Sequence, residues 1–176
     1  MVRATLTAWM QCVLEYRSTL AGDGSSNKKS TPWRARKQEG QEKPVIKITA
    51  TSVFVDDQAR ALEFYTEVLG FVKKRDIPLG GARWLTVVSP AESGGIELLL
   101  EPNSNPIAKT YQQGSFEAGL PATTFATDDL QWEYERLKEL NVVFTTEPTE
   151  AFGSAMAVFD DTCGNLIQLH QVMTSD

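Results

Sequence analysis

Residues 50–57 are ATSVFVDD and residues 122–129 are ATTFATDD. One short phrase, β-rich and closing on paired aspartates, stands twice in the chain, 72 positions apart. Around the first copy, Val45–Val55 alternates in hydrophobicity and is rich in β-branched residues, which predicts a strand. Asp57 then stands at a helix N-cap ahead of QARALEFYTEVLGF (58–71). Ala61, Leu62, Tyr65, Val68 and Leu69 fall at helical spacing on that segment, and Gly70 stops it. FVKKRDI (71–77), ARWLTVVS (82–89) and GGIELLLE (94–101) follow as three strands divided by glycine-containing turns.

The second copy opens the same sequence of elements. LPATTFATD (120–128) is a strand, and Asp128 or Asp129 caps LQWEYERLKEL (130–140), with Leu130, Tyr134, Leu137 and Leu140 on one stripe. VVFTTE (142–147), SAMAVFD (154–160) and NLIQLHQ (165–171) supply three more strands. The offset is still 71 at the last strand, where IELL (96–99) meets IQLH (167–170). The predicted fold is therefore α+β: two βαβββ modules whose curved mixed sheets surround a central cleft. Module 1 spans 45–103, a partly helical linker 104–120, and module 2 spans 121–172, together one domain over 45–172.

Period-2 alternation assigns the faces of the last strand in each module. Ile96, Leu98 and Leu100 point one way, while Glu97, Leu99 and Glu101 point the other. In module 2, Ile167 and Leu169 oppose Gln168 and His170. The aliphatic faces should pack on the helices, leaving the mixed, polar faces to line the cleft.

Composition narrows the function classes. The chain has two cysteines and a single histidine, His170. Too few thiols for a disulfide framework point to a reducing, cytoplasmic setting. One imidazole leaves little for the commonest transition-metal ligand. No apolar run approaches the roughly 18–20 residues of a membrane span. Residues 1–44 hold eight Lys/Arg and four Asp/Glu, a net +4, which leaves −10 of the total −6 on residues 45–176. A core that acidic repels phosphate backbones and disfavours nucleic acid as a partner. Residues 21–44 are polar and nearly free of aliphatic side chains, so 1–44 is expected to be a disordered or loosely attached extension. Ahead of that stretch, TLTAWMQCVLEYRSTLA (5–21) fits one amphipathic helix, either a targeting segment or a passive tail.

SVFVDDQARALEFYTEVLGF, then IELLLEP, then FDDTCGNLIQLHQ together resemble the vicinal oxygen chelate superfamily, which contains glyoxalase I, the bleomycin-resistance proteins and extradiol dioxygenases. The resemblance covers about 45–172. It implies the fold strongly and the reaction weakly, because lyases, epimerases, dioxygenases and passive binders share the scaffold. Metal-using members hold their ion at four cleft positions, in the first and fourth strand of each module. Carried over residue by residue, these are Ala50, Glu97, Ala122 and Gln168. The alanines of the repeated phrase thus stand where imidazoles are usual, and a methyl group donates no lone pair. A catalytic zinc or iron site needs about three protein ligands. The resemblance therefore implies a small-molecule binding protein of the bleomycin-resistance kind, with no cofactor. The alternative is a metal-dependent or Glu97-based lyase or dioxygenase, with a divalent metal on a degenerate ligand set. The resemblance also implies a homodimer.

Candidate ligand-binding residues are Glu97, Glu101, Trp84, Gln168 and His170, with Glu97 the one candidate for catalysis, as a general base. Glu97 has a structural alternative, an ion pair with an arginine such as Arg83. Glu97, Glu101 and His170 form a conceivable displaced metal site, although carboxylates four residues apart on a strand stand about 13 Å apart at the backbone. Cys163, within DDTCGN, is expected in a tight turn without a catalytic role. Trp84, Tyr111, Phe116, Trp132 and Phe152 are candidates for packing or for stacking against a flat or cationic ligand.

Overall fold

A computed structural model describes residues 45–151 and 153–172. The chain divides into two units, Met1–Ile46 and Lys47–Asp176, and every described element lies in the second. The expectations for 1–44, including the helix over 5–21, and for Phe152 fall outside the described residues.

Module 1 contains β1 (Ala50–Val55), α1 (Gln58–Glu63), β2 (Val72–Leu79), β3 (Ala82–Val88) and β4 (Glu97–Pro102). After α2 (Pro106–Glu117), module 2 repeats the order with β5 (Thr123–Ala126), α3 (Leu130–Glu139), β6 (Phe144–Ala151), β7 (Ser154–Asp160) and β8 (Leu166–Val172). The sheets run β1-β4-β3-β2 and β5-β8-β7-β6, and both are open. In each, the first strand pairs parallel with the fourth, and the hairpins pair antiparallel. This is the duplicated βαβββ architecture that the repeat implies.

The caps show why the helices begin and end where they do. Asp57 accepts hydrogen bonds from Ala59 N and Arg60 N, at 2.8 and 3.0 Å. Its equivalent is Asp129, which accepts from Trp132 N at 3.0 Å. At the far ends, Gly70 and Asn141, again 71 apart, take φ of 76° and 62°. These are the left-handed turns that stop a helix, which glycine and asparagine adopt most readily. The first helix widens into a π turn at Phe64–Val68, so Leu69 N reaches back to Phe64 O at 3.2 Å.

Helix-side residues of both modules form one core. Val53, Val55, Tyr65, Leu85, Val87, Leu98 and Leu100 join Leu130, Leu137, Phe159, Ile167 and Leu169. The modules interlock there: Phe71 meets Phe125 edge-on at 5.2 Å, and Phe64 lies 6.4 Å from Phe159. Truncating a buried aliphatic such as Leu100 to alanine costs about 2–5 kcal/mol in a core of this kind.

Three local expectations are corrected. Residues 45–49 are β-rich but lie outside β1, because β4 begins at Glu97 opposite Ala50 and the ladder ends there, with Glu97 N donating to Thr49 O at 3.0 Å. Ile96 precedes β4 for the same reason and is exposed rather than packed on the helix. Leu140 caps α3 at the surface instead of completing its buried stripe.

Candidate functional site

The face of each sheet turned away from the helices carries the candidate residues. In module 1 the cross-strand register builds it row by row. Ala50 pairs with Glu97, Ser52 with Leu99, and Phe54 with Glu101. Thr86 of β3 lies opposite Leu99, and Arg75 and Ile77 of β2 lie opposite Thr86 and Trp84. Paired residues share a face, so Arg75, Ile77, Trp84, Thr86, Glu97 and Glu101 line one surface.

Glu97 is the central group and already has partners. Its carboxylate accepts from Arg75 Nε, which sits 3.0 Å from both oxygens, and from Thr86 Oγ1 at 2.8 Å. The Glu97 side chain is 14% exposed and that of Arg75 37%. The arginine expected to balance Glu97 was Arg83, and this is corrected: Arg83 instead holds Asp76, with Nε and Nη2 at 2.8 and 2.7 Å from its oxygens. A bulge between Lys73 and Arg75 changes which basic side chain of β2 turns toward β4.

Trp84 and Glu101 occupy the same face at the other end of the sheet. The β3–β4 pairing stops at Thr86–Leu99, and Gln58 from α1 fills the gap beyond it. Its amide donates to Arg83 O at 2.8 Å and Leu100 O at 2.7 Å, and accepts from Arg83 N at 3.0 Å. The two strands are thereby braced apart between Trp84 and Glu101. Phe54, beside Glu101, meets Tyr111 of α2 edge-on at 6.3 Å.

In module 2, Gln168 and His170 share the open face, half-buried, while Ile167 and Leu169 face the core. The register differs from that of module 1. Gln168 lies opposite Thr124, and Ala122 stands before β5, its N–H donating to Leu166 O at 2.8 Å. A two-residue displacement keeps every side chain on its face, so the hydrophobic pattern carries no trace of it. Thr124 is therefore the neighbour of Gln168, a residue that the repeat by itself did not indicate. Val158 and Met156 of β7 lie opposite Gln168 and His170.

The four positions marked as metal ligands by the resemblance can be tested against this geometry. Ala50 and Ala122 present methyl groups, Gln168 presents a neutral amide, and Glu97 is committed to a guanidinium and a hydroxyl. Among the described residues no three His, Cys, Asp or Glu side chains are grouped so as to hold an ion, and Glu97, Glu101 and His170 form no such group. These donors do not fit a transition-metal centre.

The DDTCGN turn has a different role. Asp161 Oδ1 accepts from Cys163 N and Asn165 N at 2.8 and 2.9 Å, and its Oδ2 accepts from Asn165 Nδ2 and Tyr65 OH at 2.7 and 2.9 Å. Burial holds the Asp161 carboxyl above its ordinary value, against the lowering effect of these donors. Gln112 of α2 joins the cluster, donating to Phe54 O and Cys163 O at 2.6 and 3.0 Å. Cys163 is fully buried, and burial, with Asp161 adding to it, pushes its thiol up to about 11. A groove of about 600 Å³ runs between α2 and this turn, lined in part by Lys109, Gln112, Phe116 and Cys163. It contains none of the open-face candidates.

Comparison with known proteins agrees with this architecture. Residues 47–169 match the family model described as the glyoxalase/bleomycin resistance protein/dioxygenase superfamily. The YurT protein of Bacillus subtilis (strain 168) is 61% identical over 126 residues, spanning 72% of this chain and 99% of YurT. Among solved structures, UcmS2 superposes with a TM-score of 0.64 at 28% identity, covering 72% of this chain and 98% of its own. TnmS3, an antibiotic binding protein from Streptomyces sp. CB03234, gives a TM-score of 0.56 at 27% identity, covering 74% and 99%. With its duplicated modules and a family match across most of its length, the chain belongs to the glyoxalase/bleomycin resistance protein/dioxygenase superfamily.

Proposed function

We propose that the chain captures a small molecule on its open sheet faces, without a metal ion and without chemical turnover. The observation that carries this reading is the pairing of Glu97 with Arg75 and Thr86. The one carboxylate at a ligand position is neutralised from within the sheet, and two of the other positions are methyl groups. A general base must reach its substrate proton unencumbered, and Glu97 instead accepts three hydrogen bonds from two neighbours. Trp84, Glu101, Gln168 and His170 remain to contact a ligand. The likeness to an antibiotic binding protein supports capture over catalysis. The alternative, a Glu97-based or metal-dependent lyase or dioxygenase, has no geometric observation in its favour.

Two copies of the chain are proposed to close the cleft as a homodimer. Ile48, Val72, Ile77 and Ile96 are exposed apolar residues of module 1, and Ala50, Ser52 and Thr124 leave the open faces accessible. Burial of such side chains between copies would be stabilising at about 25 cal/mol per Å². No helix among the described residues is long and apolar enough to cross a membrane. The cytoplasm is the proposed setting for a chain with two thiols.

The test is metal analysis of protein purified without chelator, together with sedimentation equilibrium. Substoichiometric metal and a mass near twice 19.5 kDa are expected. One tightly held Zn, Ni, Mn or Fe per chain would defeat the metal-free reading. Turnover of a glutathione hemithioacetal or a catechol that is lost on Glu97→Gln would replace capture with catalysis.

A further inference from the structure

Helix α2 carries the chain from module 1 to module 2, and its attachment to the fold is narrow. Of its 12 residues only Ala108 and Gln112 are buried, while Ile107 and Tyr111 are 80% and 64% exposed. The groove of about 600 Å³ lies between α2 and the DDTCGN turn, where an apolar face would otherwise pack. Gln112 reaches the turn despite it. Its Nε2 donates to Phe54 O, Cys163 O and Asn165 Oδ1 at 2.6, 3.0 and 3.2 Å, and its Oε1 accepts from Asn103 Nδ2 at 2.7 Å. One side chain thus ties α2 to β1, to the end of β4 and to the turn of module 2. Gly164 makes room for it, since a Cβ there would stand 2.9 Å from Gln112 Nε2. Hydrogen bonds exchanged with water hold an element less firmly than a buried aliphatic stripe, and α2 has no such stripe. Gly114 weakens the helix from within: nothing lies within 4 Å of where its Cβ would be, so no packing demand offsets its low helix propensity. Both ends can act as hinges, through the exposed Ser104 and Asn105 on one side and Gly119, at φ 72°, on the other.

From these observations we infer that α2 is a strap, latched by Gln112 and released as one unit while both sheets stay folded. Docked, it sets Tyr111 edge-on to Phe54 at 6.3 Å and supplies one of the two side-chain donors on Phe54 O. The other donor is Asn165 Nδ2, at 2.8 Å. Released, the strap leaves Phe54 with one donor and an uncovered ring. Phe54 is the cross-strand partner of Glu101, so the device switches that end of the open face between two states, whatever ligand the face takes. A helix of 12 residues interrupted by glycine does not persist alone in water, so α2 unravels once it leaves the fold. Release is therefore a local unfolding step of the kind that low-stability elements undergo.

Hydrogen–deuterium exchange of the full chain, in rising urea below the unfolding transition, tests it. Amides of residues 110–118 should exchange at least about a hundredfold faster than those of β4 and β8, once intrinsic rates are divided out. Their exchange should depend on urea much more weakly than that of the two strands, because little surface is exposed on release. Gln112→Ala should speed exchange across the whole of 110–118 by a common factor of about ten, the scale of its lost hydrogen bonds. Gly114→Ala should slow the same amides by about fivefold, in the parent and in the Gln112→Ala background alike, since the released strap loses its helix. Protection and urea dependence in α2 equal to those of β4 and β8 would overturn the proposal, a result that the parent protein gives without any variant. Exchange in α2 that is indifferent to Gln112→Ala, or accelerated only beside residue 112, would also overturn it, by reducing the opening to fraying of the helix.

Discussion

Arg75 Nε lies 3.0 Å from both carboxylate oxygens of Glu97, tying the outermost strand of the first sheet to the strand that bears the would-be ligand. Removing Arg75 leaves a carboxylate that is only 14% exposed with Thr86 Oγ1 as its remaining hydrogen-bond donor and no counter-charge from the sheet, which costs stability. Arg75→Met should destabilise the fold by about 1–2 kcal/mol, a value reduced by the partial exposure of the guanidinium. Glu97→Gln should cost less, because the amide keeps an acceptor for Thr86 Oγ1. In the double variant the losses should not add, giving a coupling of about 1 kcal/mol. Urea unfolding of the four proteins measures the cycle, and strictly additive losses would mean that the pair contributes nothing.

Tyr65 OH donates to Asp161 Oδ2 at 2.9 Å, a bond that joins the helix of module 1 to the turn of module 2. Desolvation, with the Asp161 charge adding to it, raises the Tyr65 phenol well above its ordinary value. Asp161 itself is raised by burial, so its ionisation disfavours the native state. A raised folded-state value gives stability that is full below the unfolded value of 3.8 and lost as pH rises through the folded one. Tyr65→Phe removes a donor that lowers the Asp161 value and so raises it further. The variant should lose about 1–3 kcal/mol at pH 7. That loss should shrink as pH falls through the folded-state value of Asp161 toward 3.8. A loss independent of pH would show that Tyr65 acts through packing alone.

The repeated phrase made the architecture legible because hydrophobic period, caps and helix stops recur at nearly one offset. Asp57 with Asp129 and Gly70 with Asn141 are the same devices in each module. Alternation also placed Glu97, Glu101, Gln168 and His170 on the face away from the helices. What it could not show depends on register. A period of two is blind to the two-residue displacement that sets Thr124, not Ala122, beside Gln168. It is equally blind to the bulge in KKR (73–75), which sets Arg75 rather than Lys74 opposite Thr86 and so within reach of Glu97. The polar cluster of Asp161, Asn165 and Gln112 was hidden for another reason. DDTCGN has the composition of any tight turn, and only tertiary contact reveals that Tyr65 and Phe54 are its partners.

Cys163 should be chemically silent in the native state. Its thiol is fully buried and pushed up to about 11, mainly by burial, with Arg60 offsetting only part of the shift. At pH 8 the thiolate fraction is on the order of one in a thousand, and the thiolate is the reactive species. In a Cys12→Ser background, Ellman's reagent at pH 8 should label no thiol within minutes under native conditions and one per chain in urea. Rapid native labelling of that single thiol would place Cys163 in an accessible, activated environment and reopen a role for it.

Gln58 substitutes for a missing stretch of β-ladder. Its amide serves Arg83 N, Arg83 O and Leu100 O at 3.0, 2.8 and 2.7 Å, at the place where β3 and β4 separate. Gln58→Leu keeps the volume but leaves these backbone groups without their partner, at a cost of about 2–3 kcal/mol if water does not replace the amide. Gln58→Glu keeps the acceptor for Arg83 N and sets a carboxylate against two carbonyl oxygens, so it should be at least as damaging at neutral pH. The gap that Gln58 braces lies between Trp84 and Glu101, so its removal also allows the strands to close. Gln58→Leu should therefore change the emission maximum of Trp84, read with Trp9, Trp33 and Trp132 replaced by phenylalanine, although Gln58 projects from the helix side of the sheet. Thermal unfolding and Trp84 emission of this one variant separate the two effects. Lost stability with unchanged emission would reduce Gln58 to a structural pin with no bearing on the open face.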